Sequence, residues 1–183
     1  MPLAKPAKLP AYLLPMLSTS SKPFDDPGCV FDIKWDGIRA LASIERNGWR
    51  LWGREGIDYT DRYSELESLR RLAAGTVLDG ELVVIRNGQA DFQLLMNRHA
   101  RRPRSLPFFT HSVQYIVFDL LCFRGRSLLD QPLSQRRQML HEELPELPFV
   151  SLCEGVVGDG KTFFREAVAK GHEGVVAKRL NSR

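Results

Sequence analysis

The sequence predicts an α+β fold, made of mostly antiparallel sheets with flanking helices. Three observations predict it. Strand-like apolar runs outnumber helix-like stretches. Two of those runs are broken by Asn-Gly, at Asn47-Gly48 and Asn87-Gly88, the dipeptide preferred in two-residue hairpin loops. The helix-like stretches are short and carry their own start and stop signals, without the regular strand–helix alternation of a parallel sheet.

Residues 1–27 are rich in Pro, Ser and Lys and read as an extended arm, which leaves 28–183 as one folded unit. Strands are expected at 29–36 and 38–46, with 49–54 returning after the Asn47-Gly48 loop. Thr60 can cap a helix over 61–73, with Tyr63, Leu66 and Leu69 on one side and Gly75 after its end. A strand over 77–85 leads into the second Asn-Gly turn. Asp91 can cap a short helix to about Arg98. Residues 101–104 hold three arginines around Pro103 and form a basic loop, with DNA phosphates or solvent as its surroundings. Residues 113–122 are a strongly apolar strand. Ser134 can cap a helix to about Glu142, and 149–152 is a short strand. Residues 161–170 are helical up to Gly171, and 174–178 is the last strand.

A chain of 183 residues with 43% hydrophobic and 26% charged residues can enclose one ordinary core. A net charge of +4 allows a polyanionic partner without requiring one. Cys29, Cys122 and Cys153 are odd in number and far apart, which fits a reducing cytoplasm and neither a disulfide framework nor a zinc site. The four histidines show no metal-binding spacing. No apolar run reaches membrane-spanning length, and prolines interrupt the N-terminus where a signal peptide would need its apolar stretch.

The segment FDIKWDGIRA, residues 31–40, places Lys34 between Asp32 and Asp36 on the polar side of a strand. With Asn47-Gly48 as the loop, Arg46 falls opposite Trp49 and Arg39 opposite Gly56. Arg39 and Arg54 then become diagonal neighbours on one face. A bulge at Gly37 would bring Lys34 to the same side. A lysine amine with a pKa of ~10.4 is costly to neutralise near pH 7, and neighbouring cations lower that cost. The same cations would hold a polyphosphate. The charge pattern points to lysine attacking phosphorus.

KWDGIR resembles the K-x-D-G-x-R signature of the covalent nucleotidyltransferases, which comprise ATP-dependent DNA ligases, RNA ligases and mRNA capping enzymes. LDGELVV at 78–84, YIVFDLL at 115–121 and HEGVVAKR at 172–179 resemble further motifs of that family, in the family's order. DFQLLMNR and VFDLLCFRGRSLLDQPLSQRRQML are especially similar to bacterial ligases of the end-joining repair type. The resemblance implies an ATP-grasp-like nucleotidyltransferase core, with 28–183 as an adenylation domain. It implies that Lys34 takes AMP from ATP as a lysyl–AMP phosphoramidate and releases pyrophosphate. Asp32 would lie beside adenine, although many relatives carry glutamate there. Arg39 and Arg54 would hold sugar and phosphate. Glu81 would meet the ribose or a metal, and Phe118 would stack on the base. Glu173 would bind Mg²⁺ or Mn²⁺, and Lys178 would neutralise phosphate charge. The implied partners are nicked double-stranded DNA and end-joining repair proteins or further ligase domains, in a bacterial cytoplasm at the nucleoid.

The resemblance also implies a fifth motif and an OB-fold domain, which these 183 residues do not include. The expectation is therefore weak self-adenylylation, with slow sealing of nicks that already carry AMP. A non-catalytic nucleotide- or DNA-binding remnant, and an RNA ligase or capping-type enzyme, are the alternatives.

Overall fold

The computed structural model describes residues 16, 18–100 and 111–183. The basic loop at 101–104 and most of the expected arm lie outside the described residues.

Two sheets make the fold. A three-stranded antiparallel sheet has the order β10-β1-β9, from Val175–Arg179, Asp26–Ile33 and Val156–Gly158. The larger, seven-stranded sheet runs β3-β2-β4-β6-β7, from Gly48–Gly53, Ile38–Glu45, Thr76–Arg86, Val113–Phe123 and Arg126–Ser127. Its short extra strands are β5 (Gln89–Ala90), paired to β4, and β8 (Val150–Leu152), which runs parallel beside β6. Among the described residues three helices flank the sheets: α1 (Phe92–Ala100), α2 (Leu133–Glu143) and α3 (Gly160–Ala169).

One face of the large sheet carries the main core. Ala40, Leu51, Leu78, Leu82, Tyr115, Val117 and Leu120 pack there against Tyr63, Leu66, Leu69, Leu95 and Leu140. Burying such side chains contributes roughly 1.5–3 kcal/mol each and drives the assembly. Gly80 is a glycine because Tyr115 needs the room: a Cβ at Gly80 would lie 2.7 Å from the Tyr115 ring. The Tyr115 hydroxyl crosses that gap and donates within reach of the Ala40 and Leu78 carbonyls, at 2.9 and 3.2 Å. Its burial is thereby reconciled with its polarity.

Several elements differ from the sequence reading. The first hairpin pairs Glu45 with Gly48 and Ala40 with Gly53, so its loop is Arg46-Asn47. Extending this register puts Arg39 directly opposite Arg54, rather than diagonal to it. Both arginines stay on one face, because the shift preserves parity. The second Asn-Gly turn forms as expected, with Asn87 and Gly88 both at positive φ and Arg86 paired with Gln89.

Gly37 marks no bulge. The chain leaves one sheet at Ile33 and enters the other at Ile38, so residues 34–37 are a passage between sheets. Gly37 presses against β4 there: a Cβ would collide with the Leu82 carbonyl oxygen and lie 2.8 Å from Cγ of Glu81.

The helix expected over 61–73 is two 3₁₀ segments, Thr60–Arg62 and Ser64–Arg71. Thr60 accepts from the Leu51 amide at 2.9 Å instead of capping a helix, which ties this segment to β3. Asp91 does cap α1, accepting from the Leu94 amide at 2.9 Å. Ser134 lies inside α2 and is not its cap. The amides of Leu133 and Ser134 donate instead to the carbonyls of Ser182 and Leu180, at 2.8 and 2.9 Å, so the final described residues finish the helix start.

Candidate active site

The candidate site residues come from both sheets and from the segments beside their strands. Asp32 stands on β1, Lys34 just after it, Lys178 on β10 and Glu173 in the turn before β10. The large sheet supplies Arg39 from β2, Glu81 from β4 and Phe118 from β6, with Arg54 just past β3.

Lys34 is fixed at both ends. Its amide donates to the Gly174 carbonyl at 2.9 Å, and its ammonium pairs with Glu173. Gly174 has φ 156° and follows Glu173 directly, so one turn orders both the lysine backbone and its partner. The Lys34 side chain is 42% exposed, which leaves it open to a ligand.

Strand register explains the opposite wall. Arg39 pairs with Glu81, and Glu81 with Ile116, so the three share a face. Between Val117, opposite Gly80, and Asp119, opposite Asp79, β6 carries one residue too many. That residue is Phe118. The bulge lets successive residues, Phe118 and Asp119, serve the same face. Arg39 lies 5.3 Å and Lys178 4.0 Å from the Phe118 ring centre.

Electrostatics follow from this crowding. Burial pushes the Glu81 carboxyl up to about 7, and Asp79 adds to the rise, against the pull of Arg39, Arg54 and Lys34. Burial likewise raises Asp79, opposed by its bonds to Arg39.

Asp32 is 1% exposed, deeper than an alternating polar face implies. Its Oδ2 takes Lys178 Nζ at 2.8 Å and Arg137 Nη1 at 3.0 Å. Its Oδ1 is buried and has no hydrogen-bond partner among the described residues. Gly155 faces that oxygen, and a Cβ there would strike it.

Sequence reasoning missed Asp79, Arg136 and Arg137. Asp79 was within reach of it, since it precedes Glu81 by two positions in LDGELVV and must share its face. The arginines of α2 gave no such signal: Arg137 meets Asp32 across 105 positions. Arg136 binds Asp119 through two bonds of 2.8 Å and so ties α2 to the bulged strand.

Among the described residues no group of three or more His, Cys, Asp or Glu could hold a metal by itself. Glu81 and Glu173 offer oxygen donors beside Lys34. That suits Mg²⁺, which binds through one or two carboxylates and completes its shell with water and substrate phosphate.

The fold is that of DNA ligase nucleotidyltransferase domains. Residues 11–183 match the family described as ATP dependent DNA ligase domain, and the chain belongs to that family. It is 35% identical to the SPbeta prophage-derived DNA ligase-like protein LigB of Bacillus subtilis, over 93% of this chain and 62% of LigB. It is 37% identical to the multifunctional non-homologous end joining DNA repair protein LigD of Mycobacterium tuberculosis, over 84% of this chain and 19% of LigD. The solved structure of mycobacterial DNA ligase D complexed with ATP and MES superposes with a TM-score of 0.76 at 31% identity, over 93% of this chain and 55% of that one. The chain thus spans about three fifths of LigB and about one fifth of LigD. The family matched is defined by DNA ligation, not by RNA ligation or capping.

Proposed function

We propose that this chain carries the adenylylation site of an ATP-dependent DNA ligase, with Lys34 as its nucleophile. The observation that supports the reading best is that Lys34, bonded to Glu173, acts together with Arg39 and Arg54 on the Glu81 carboxyl, so groups from both sheets meet there. Uncharged Lys34 attacks the α-phosphorus of ATP. The bond from that phosphorus to the bridging oxygen breaks, pyrophosphate leaves, and a phosphoramidate remains on Nζ. The proton lost by Lys34 has two carboxylates at hand: Glu173, which already bonds Nζ, and Glu81, which can hold a proton near neutral pH.

The residues present fit adenine. Phe118 offers a ring face, and the bare Oδ1 of Asp32 is an acceptor waiting for an N–H, as the exocyclic amine of adenine provides. Arg39 and Arg54 hold ribose and phosphate, and Lys178 offsets phosphate charge. Glu81 and Glu173 would hold Mg²⁺ or Mn²⁺, whose chemistry there is neutralisation of charge on the phosphates. The adenylation domain takes in residues 28–183 together with Asp26 and Pro27, which open β1. The second substrate is nicked duplex DNA, with end-joining repair proteins or further ligase domains as partners, in the cytoplasm at the nucleoid.

The test is incubation with radiolabelled ATP and Mg²⁺ or Mn²⁺, followed by denaturing electrophoresis and peptide mapping, in parallel with a nicked duplex already carrying a 5′-adenylate. An acid-labile adduct on Lys34, together with sealing of the adenylated nick, supports the reading. AMP on another residue, or neither adduct nor sealing by the folded chain, overturns it.

A further inference from the structure

Asp32 holds two cations on one oxygen, and they differ in kind. Lys178 is 23% exposed, and its Nζ sits over Phe118, 4.0 Å from the ring centre. That spot is closer than the 4.5–7 Å at which a stacked ring would lie, so a base on that face displaces the ammonium. Arg137 is 11% exposed and anchored twice, through Nη1 to Asp32 at 3.0 Å and through Nη2 to the Cys153 carbonyl at 2.9 Å. It stands on α2, whose first turn is fastened by the Leu180 and Ser182 carbonyls. One cation is placed to move and the other to stay.

A buried carboxylate stripped of every cation is strongly unfavourable. Were Lys178 the sole partner of Asp32, its departure toward a phosphate would leave that charge alone in the core. Arg137 removes the conflict. By occupying Oδ2 it also leaves Oδ1, the buried oxygen beside Gly155 that has no partner among the described residues, as the free acceptor.

We propose that Arg137 is a positioning residue for base recognition: it holds the Asp32 carboxylate in place for the base while Lys178 leaves for a phosphate. The proposal rests on the adenylylation reading above. It makes α2 part of the purine-selecting apparatus, although α2 itself does not touch the base. A carboxylate oxygen accepts from the 6-amino group of adenine. The 6-oxo group of hypoxanthine presents a lone pair to it instead.

The experiment compares equilibrium binding of ATP and ITP to the wild-type chain, Arg137→Gln and Arg137→Lys, with urea midpoints recorded for each. The wild-type chain is expected to prefer ATP. Arg137→Gln is expected to lose about tenfold of that preference, the size of a hydrogen bond to a charged group. Arg137→Lys keeps the charge but cannot reach Asp32 and the Cys153 carbonyl together, and gives an intermediate ratio. Equal weakening of both nucleotides, or an unchanged ratio, would mean a structural arginine only and overturns the proposal. If Arg137→Gln does not fold, Arg137→Lys decides in the same way. Labelling of wild-type Lys34 is scored separately: its absence overturns the adenylylation reading, whereas a labelled wild type with unchanged ratios in the variants overturns only the role of Arg137.

Discussion

Arg39 and Asp79 are joined by two hydrogen bonds, Nε to Oδ1 at 3.0 Å and Nη2 to Oδ2 at 2.6 Å. Asp79 is 4% exposed, and Arg39 is the cation that answers its charge. The guanidinium is therefore aimed by the fold before any ligand arrives, with Nη1 bonded to the Met16 carbonyl at 3.0 Å. Arg54 is exposed and has no such anchor on β4.

The two arginines should accordingly separate in mutants. Arg39→Ala strands a buried carboxylate and should cost about 3 kcal/mol of stability along with nucleotide affinity. Arg54→Ala should leave stability within about 0.5 kcal/mol and weaken ATP binding by roughly 1–3 kcal/mol. Urea denaturation and calorimetry on each variant decide the matter. Equal stability losses would contradict the anchoring described.

Lys34→Ala should abolish the AMP adduct, and Lys34→Arg should do the same, because guanidinium stays protonated and is a poor nucleophile. Since Lys34 pairs with Glu173 at an exposed position, neither change should move the urea midpoint much. A labelled Lys34→Arg chain would contradict the assignment.

Glu81 gives a pH signature. Its folded carboxyl titrates at about 7, above the ordinary value of 4.5. Between those values the folded state holds a proton that the unfolded state has released. The favourable contribution is therefore whole below about pH 4.5 and is lost as pH rises through 7. Glu81→Gln mimics the protonated form and should be more stable than wild type at pH 8, by about 1–3 kcal/mol. At pH 4.5 it should gain little. Denaturation curves at both pH values test this, and a gain of the same size at each would reject it.

Gly37→Ala should destabilise the chain by roughly 1–3 kcal/mol, because the added Cβ meets the backbone of β4 and the Glu81 side chain. The passage from Lys34 to Ile38 would have to move outward, so adduct formation should fall more than stability alone accounts for. A variant as stable and as active as wild type would show that the passage has room to spare.

Much of this was legible in the sequence because it depends on local chemistry. The Asn87-Gly88 turn, the Asp91 cap and the long apolar strand of 113–123 follow from neighbouring residues. The Asn47-Gly48 hairpin slipped because strand pairing with β4, not the turn dipeptide, sets its register. Alternation along a single strand suggests a bulge at Gly37, whereas the chain changes sheets there. The bulge at Phe118 is invisible in YIVFDLL, since an extra residue shows only against its partner strand. The motif residues were readable as types. That Asp32 is buried under Arg137, and that Arg39 is locked to Asp79, are facts of tertiary packing.

The passage between the sheets has a consequence for how the protein is made. Strands β2, β3, β4 and β6 all lie within residues 38–123, so the large sheet can pair while the rest is still being synthesised. The small sheet cannot: β1 must wait for Val156–Gly158 and Val175–Arg179, and Lys34 meets Glu173 only across 139 positions. Loop closure over that distance belongs to the late, slow part of folding. A nascent chain would hold a formed scaffold and an unassembled reactive lysine, so competence would arrive only after nearly all of this chain had emerged. Pulsed hydrogen exchange during refolding should then protect the amides of β2 and β4 before those of β1 and β10, and simultaneous protection would refute the sequence of events.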